Sequence, residues 1–114
     1  MMPSRDKVLL CLELVRDKKA ENARVLDMQS TSPVADYILI CSGSSDRQVK
    51  AIADSVRSGL KKKGCYDIGA EGYSEGRWIL IDYGDVIVHV FSDEMRKFYD
   101  IESLWPDAVE VKGR

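Results

Sequence analysis

Apolar positions alternate in two runs between Arg77 and Phe91, and the runs meet at Gly84-Asp85. Glycine followed by a polar residue is the preference of a tight type II′ turn, so the stretch predicts an antiparallel hairpin. The turn fixes the pairing: Tyr83 opposite Val86, Ile81 opposite Val88, Ile79 opposite Val90. Side chains alternate along a strand, so these six residues share one face, aliphatic but for one tyrosine and suited to a core. The other face carries Trp78, Leu80, Asp82, Ile87, His89 and Phe91. It is too apolar for a solvated surface and too polar for a clean core. Aromatic anchors among a few polar groups suit a protein partner. They also suit a second, minor core covered by Phe98, Tyr99, Leu104 and Trp105. The pattern favours the partner.

Upstream, Ser4 can cap a helix whose stripe is Val8, Leu9, Cys11, Leu12 and Val15, ending at Asp17-Lys18-Lys19. A short strand follows near Arg24–Met28, then a turn at Ser30–Pro33. Asp36–Cys41 is an almost unbroken apolar run, the mark of a central strand covered on both faces. Ser45 with Gln48 three residues on is a capping-box pattern. It opens the clearest helix, with Val49, Ile52, Ala53, Val56 and Leu60 on one face and Gly64 as its stop. Tyr66–Glu71 is a weak strand, and Ser92-Asp93-Glu94 starts a short helix through Tyr99. Strand two, the long helix and strand three are expected to form a parallel crossover unit, with the last three strands an antiparallel meander. The expected fold is a single α/β domain over residues 1–108, a mixed sheet with helices mainly on one face. Residues 109–114 are expected to be a loose tail.

Composition narrows the function. A net charge of −2 excludes a wholly basic nucleic-acid-binding surface but leaves room for a local patch. No apolar run approaches the roughly 20 residues of a membrane span. The N-terminus lacks the apolar core of a signal peptide and carries Asp6, so a cytoplasmic protein is expected. Cys11, Cys41 and Cys65 are isolated and odd in number, which reads as buried thiols in a reducing compartment.

Four places could carry chemistry. Ser42–Arg47 joins a strand to a helix N-terminus and could hold a phosphate, but its spacing matches neither glycine-rich nucleotide motif, and a helix cap accounts for it. Asp82 and Asp85 could share a divalent cation, although aspartate favours turns on local grounds. His89, the only histidine, has no clustered partner for catalysis or metal binding and reads as an interface or sheet residue. Lys61-Lys62-Lys63 complements a helix C-terminus, with contact to RNA phosphate as the sharper alternative. No enzyme activity, metal or cofactor is expected.

An ordered set of motifs spans nearly the whole chain: Asp36-Tyr37, Ser42-Gly43-Ser44-Ser45-Asp46-Arg47-Gln48-Val49, Ala51–Asp54, Glu71-Gly72, Glu75-Gly76-Arg77-Trp78, Asp82-Tyr83-Gly84-Asp85, Val88-His89-Val90-Phe91, Phe98–Glu102 and Leu104–Ala108. In these the chain resembles the ribosomal silencing factor, or Iojap, family; Pro106 departs, standing where many members carry a small residue. The resemblance implies a translation factor without enzyme activity. It implies binding to the large ribosomal subunit through its fourteenth protein, at the subunit-joining face, so that small-subunit docking is blocked and translation damped when nutrients are short. It also implies a nucleotidyltransferase-like fold and self-association through the same open sheet face. Gly43-Ser44 echoes those enzymes, but Asp82 and Asp85 do not form their Asp-x-Asp pair. A metal-dependent nucleotidyltransferase using Gly43, Ser44, Asp82 and Asp85 is the second reading. On the first, Trp78, Leu80 and Phe91 are apolar anchors around His89, and Glu75, Arg77, Asp82 and Asp85 complete the partner-binding set.

Overall fold

In chain order the elements are α1 (Ser4–Asp17), β1 (Glu21–Asp27), β2 (Tyr37–Gly43), α2 (Asp46–Lys62), β3 (Gly69–Glu71), β4 (Trp78–Asp82), β5 (Val86–Ser92), α3 (Asp93–Tyr99), a 3-10 turn (Ile101–Leu104) and β6 (Val109–Val111). The computed structural model describes residues 2–112. Six strands form one sheet in the order β3-β4-β5-β2-β1-β6.

The apolar run predicted to be central forms β2, and all seven of its residues are buried. It lies between β1, antiparallel, and β5, parallel. The expected parallel partner was strand three, which the structure corrects. β3 has three mostly exposed residues and pairs only with β4, at the sheet edge. β5 carries the Val/Ile alternation that an interior position requires, and so takes the place beside β2. The meander β3-β4-β5 is antiparallel as expected. Its hairpin has the predicted register, with Ile79 opposite Val90 and Ile81 opposite Val88. Tyr83 N–H bonds the Val86 carbonyl across the turn, where Gly84 adopts φ +85°.

Two cores follow from strand alternation. On one face Val8, Cys11, Leu12 and Val15 of α1 and Val49, Ile52, Val56 and Leu60 of α2 cover Leu39, Cys41, Ile79, Ile81, Val88 and Val90. On the other, Leu26, Met28, Ile38, Ile40 and Phe91 form a smaller core under Met95, Ile101, Trp105 and Ala108. The two long helices thus share one face, while the C-terminal arm partly covers the other.

Local signals held for α2 and α3. The Ser45 hydroxyl accepts from Gln48 N–H at 3.1 Å, and Ser92 does the same for Met95 at 3.2 Å. Ser4 does not cap α1: it is the first helical residue, Pro3 holds the cap position, and no side chain caps that end. The tail is also corrected. Val109–Val111 pairs antiparallel with β1, because an unpaired β1 edge was available to it. The last two residues of the expected tail, and Met1, lie outside the described residues.

One ionic cluster ties the arm down. Glu102 accepts from Arg24 of β1 at 2.6 Å and from Arg96 of α3 at 3.0 and 3.2 Å. Arg24 also reaches Glu110 of β6 at 3.0 Å, and Arg96 donates to the buried Ser42 hydroxyl at 3.3 Å. Burial opposes ionisation of Glu102, but the Arg96 and Arg24 guanidiniums outweigh it and hold the carboxyl below its ordinary value. Its stabilising contribution is therefore complete above the usual carboxylate range and is lost as pH falls through the lowered value. Glu102→Gln leaves Arg96, whose side chain is 12% exposed, without its carboxylate. The expected cost is about 2–3 kcal/mol in urea unfolding near neutral pH, shrinking in acid; an unchanged midpoint would deny the cluster this role.

Candidate functional site

The mixed face of the hairpin is assembled by three cross-strand pairs: Trp78 with Phe91, Leu80 with His89, and Asp82 with Ile87. Burial sorts them. Phe91 is fully buried and His89 is 7% exposed, whereas Trp78, Leu80, Asp82 and Ile87 are half-buried. Phe91 is therefore no contact anchor. It belongs to the smaller core, and Trp78 stacks over it at 4.8 Å. Nor is His89 an exposed centre: its Nδ1 accepts the Trp78 indole N–H at 3.1 Å. The reason lies in the arm, whose residues cover more of this face than the strand pattern revealed.

The arm also extends the surface. Tyr99 of α3 lies against Trp78, with ring centroids 4.8 Å apart, and Phe98 meets Tyr99 edge-on at 5.1 Å. Phe98 is 75% exposed and Tyr99 49%. An aromatic chain thus runs from the buried Phe91 through Trp78 and Tyr99 to the exposed Phe98. The minor-core alternative offered Phe98, Tyr99, Leu104 and Trp105 as cover. Of these Trp105 packs on the smaller core, together with Met95, Ile101 and Ala108, whereas Phe98 and Leu104 are exposed.

The charged candidates separate. Glu75 and Arg77 are exposed in the loop before β4. That loop is folded tightly on the strand: Gly72 has φ +91°, and a Cβ there would sit 2.0 Å from the Trp78 carbonyl oxygen. Asp82 caps the hairpin turn by accepting from Gly84 N–H at 2.7 Å. Asp85 leaves the site altogether: it pairs with Lys7 of α1 at 2.9 Å, toward the long helices.

A nucleotidyltransferase centre cannot assemble. Ser44 follows the end of β2 that pairs with Ser92, whereas Asp82 and Asp85 lie at the other end, where Tyr37 pairs with Val86. A strand of this length separates them by roughly 20 Å. Ser44 is also occupied locally, its N–H and hydroxyl both meeting the Gln48 side-chain oxygen at 2.7 and 2.9 Å. Among the described residues no cluster of His, Cys, Asp and Glu is arranged to hold a metal ion, and no helix is long and apolar enough to cross a membrane. The three cysteines are free, and burial pushes the Cys11 and Cys41 thiols up to about 12.

The arrangement can present a firm aromatic surface; it is not built to activate a nucleophile. Residues 2–113 match the model of the family described as ribosomal silencing factor during starvation. The chain belongs to that family. It is 43% identical to the ribosomal silencing factor RsfS of Halalkalibacterium halodurans, over 98% of this chain and 97% of the relative. The Bacillus subtilis protein of the same name is 49% identical over 81% of this chain and 78% of the relative. A crystal structure of a Chromobacterium violaceum protein superposes with a TM-score of 0.89 at 38% identity, covering 91% of this chain and 87% of that one. A Bacillus halodurans structure gives 0.84 at 41% identity, covering 95% and 98%. The fold is therefore that of this family, a mixed α/β domain.

His89 gives this surface an acid sensitivity. Burial lowers its pKa from 6.5 to about 4, so the folded chain holds it neutral. The unfolded chain takes up the proton first, so stability is complete above pH 6.5 and falls as pH drops toward 4. The loss is on the order of 3 kcal/mol. Chemical unfolding across that window is expected to show it, and His89→Gln, which keeps an acceptor for Trp78, is expected to remove most of the slope. A wild-type chain of flat stability there would overturn this.

Proposed function

We propose that the chain silences the large ribosomal subunit by covering its subunit-joining face, with the fourteenth large-subunit protein as the direct contact. It acts by occupancy in the cytoplasm, blocking the small subunit and repressing translation when nutrients are limiting. The observation that carries this reading is the exposed aromatic chain Trp78–Tyr99–Phe98 bordered by half-buried Leu80 and Ile87. Aromatic anchors in a firm setting dominate protein contacts, while charges at the rim set encounter rate and salt dependence. Glu75, Asp82 and Arg77 border this patch and fit the rim role; Phe91 and His89 support it from below. Two copies meeting through the same patch would form a dimer that competes with the ribosome.

The test is sedimentation with separated ribosomal subunits, followed by a subunit-joining assay. Phe98→Asp is the informative variant, because Phe98 is 75% exposed and its loss costs the fold little. Trp78→Ala also removes a hydrogen bond and three ring contacts, so it disturbs structure as well as surface. The expected outcome is that wild type travels with large subunits and suppresses joining. Phe98→Asp, equally stable, should bind more weakly by about 2 kcal/mol, roughly thirtyfold. A folded Phe98→Asp that binds and blocks like wild type would remove the aromatic chain from the contact.

A further inference from the structure

The end of α2 and the loop after it form a second surface that the aromatic patch does not use. Residues 57–68 hold four cations, Arg57 and Lys61–Lys63, against one acid, Asp67, in a chain whose net charge is −2. Arg57 is engaged with Asp67 at 3.0 Å. The three lysines are exposed, and among the described residues none lies within ion-pair distance of an acid. Beside them Tyr66 is 67% exposed and Ile68 75%. The loop presenting Tyr66 is held at three points: Cys65 N–H to the Leu60 carbonyl at 2.9 Å, Ile68 N–H to the Asp82 carbonyl at 2.7 Å, and the Arg57–Asp67 pair.

We propose that Lys61–Lys63 and Tyr66 form an RNA contact, the lysines on backbone phosphates and the tyrosine ring stacked on an unpaired base. Lys61 and Lys62 are helical and point about 100° apart, and Lys63 is the C-cap, so the three side chains leave the helix end in different directions instead of forming one stripe. That suits phosphates strung along a strand better than an acidic helix face. An exposed ring following a run of cations is a combination that single-stranded nucleic acid recognises, and a held loop backbone lowers the ordering cost of stacking. Helix-dipole complementation accounts for the lysines but not for the bare tyrosine beside them. The loop that carries Tyr66 runs into β3, where Gly69 lies opposite Asp82 at the turn end of β4. We take the RNA to be ribosomal RNA; this assignment rests on the ribosomal reading above.

The experiment uses the full chain in two assays. One is sedimentation with purified large subunits over a salt series; the other is fluorescence anisotropy with a labelled single-stranded RNA oligonucleotide. The lysine triple variant K61Q/K62Q/K63Q and Tyr66→Ala are all surface changes, checked by thermal unfolding. For large subunits, the triple variant is expected to flatten the slope of log affinity against log salt by about 2 to 3, and Tyr66→Ala to weaken binding about fivefold or more with the slope kept. For the oligonucleotide, both variants are expected to bind more weakly. A triple variant with the wild-type slope and wild-type oligonucleotide affinity overturns this inference and leaves the docking proposal standing. A wild type that ignores large subunits yet binds the oligonucleotide through these lysines overturns the docking proposal and retains the RNA contact.

Discussion

The burial of β2 on both faces is the constraint from which the rest of the molecule follows. Seven consecutive buried residues must send side chains alternately into two layers, so neither side of the sheet centre can face water. One layer is supplied in full by α1 and α2, whose apolar stripes cover the sheet from Val25 to Val90. The other must come from what remains of the chain after β5, a seven-residue helix, one 3-10 turn and a three-residue strand. This short arm covers Leu26, Met28, Ile38, Ile40 and Phe91 but leaves Trp78, Leu80 and Ile87 half open. The candidate interface is thus the unfinished part of the second layer, its position set by where the arm stops.

Such an arm has little apolar surface to hold it. No residue of α3 is buried, and its cover is made by half-buried side chains. The Arg24–Glu102–Arg96 cluster supplies what packing does not. Partly buried ion pairs add little net stability compared with apolar contacts, but forked guanidinium geometry is strict about position. Glu102 joins β1 to α3, and Arg24 joins β1 to β6, so one cluster locates three elements on the sheet. Because Tyr99 rests on Trp78 from α3, the cluster also sets the shape of the aromatic surface.

What could be read in the sequence was what short-range rules determine. The hairpin register followed from Gly84-Asp85, the Ser45 cap from its spacing to Gln48, and the centrality of β2 from an unbroken apolar run. What could not be read depends on distant partners. Lys7 and Asp85 are 78 positions apart, and no local pattern links them. β6 exists because β1 offers a free edge, which a three-residue segment is too short to announce by pattern. Phe91 and His89 were placed on the correct face but at the wrong depth, since depth depends on how far the arm reaches over them. Phe98 and Trp105 are both aromatic residues of that arm, and only its path decides which one turns inward.

The parallel pairing of β2 with β5 carries one more consequence. It sends the loop after β2 and the turn before β5 to opposite ends of the sheet, so Ser44 is kept from Asp82 and Asp85 by the length of the strands themselves. Chemistry spread over those residues is excluded by topology, whatever their protonation. The same sheet holds Trp78 against a neutral His89 that accepts its indole N–H, with Phe91 stacked beneath. A ring with its polar edge satisfied and one face supported has few alternatives left, so docking against its open side requires little further ordering. The same strand pairings thus keep Ser44 from Asp82 and Asp85 and fix an aromatic side chain at the rim of the smaller core.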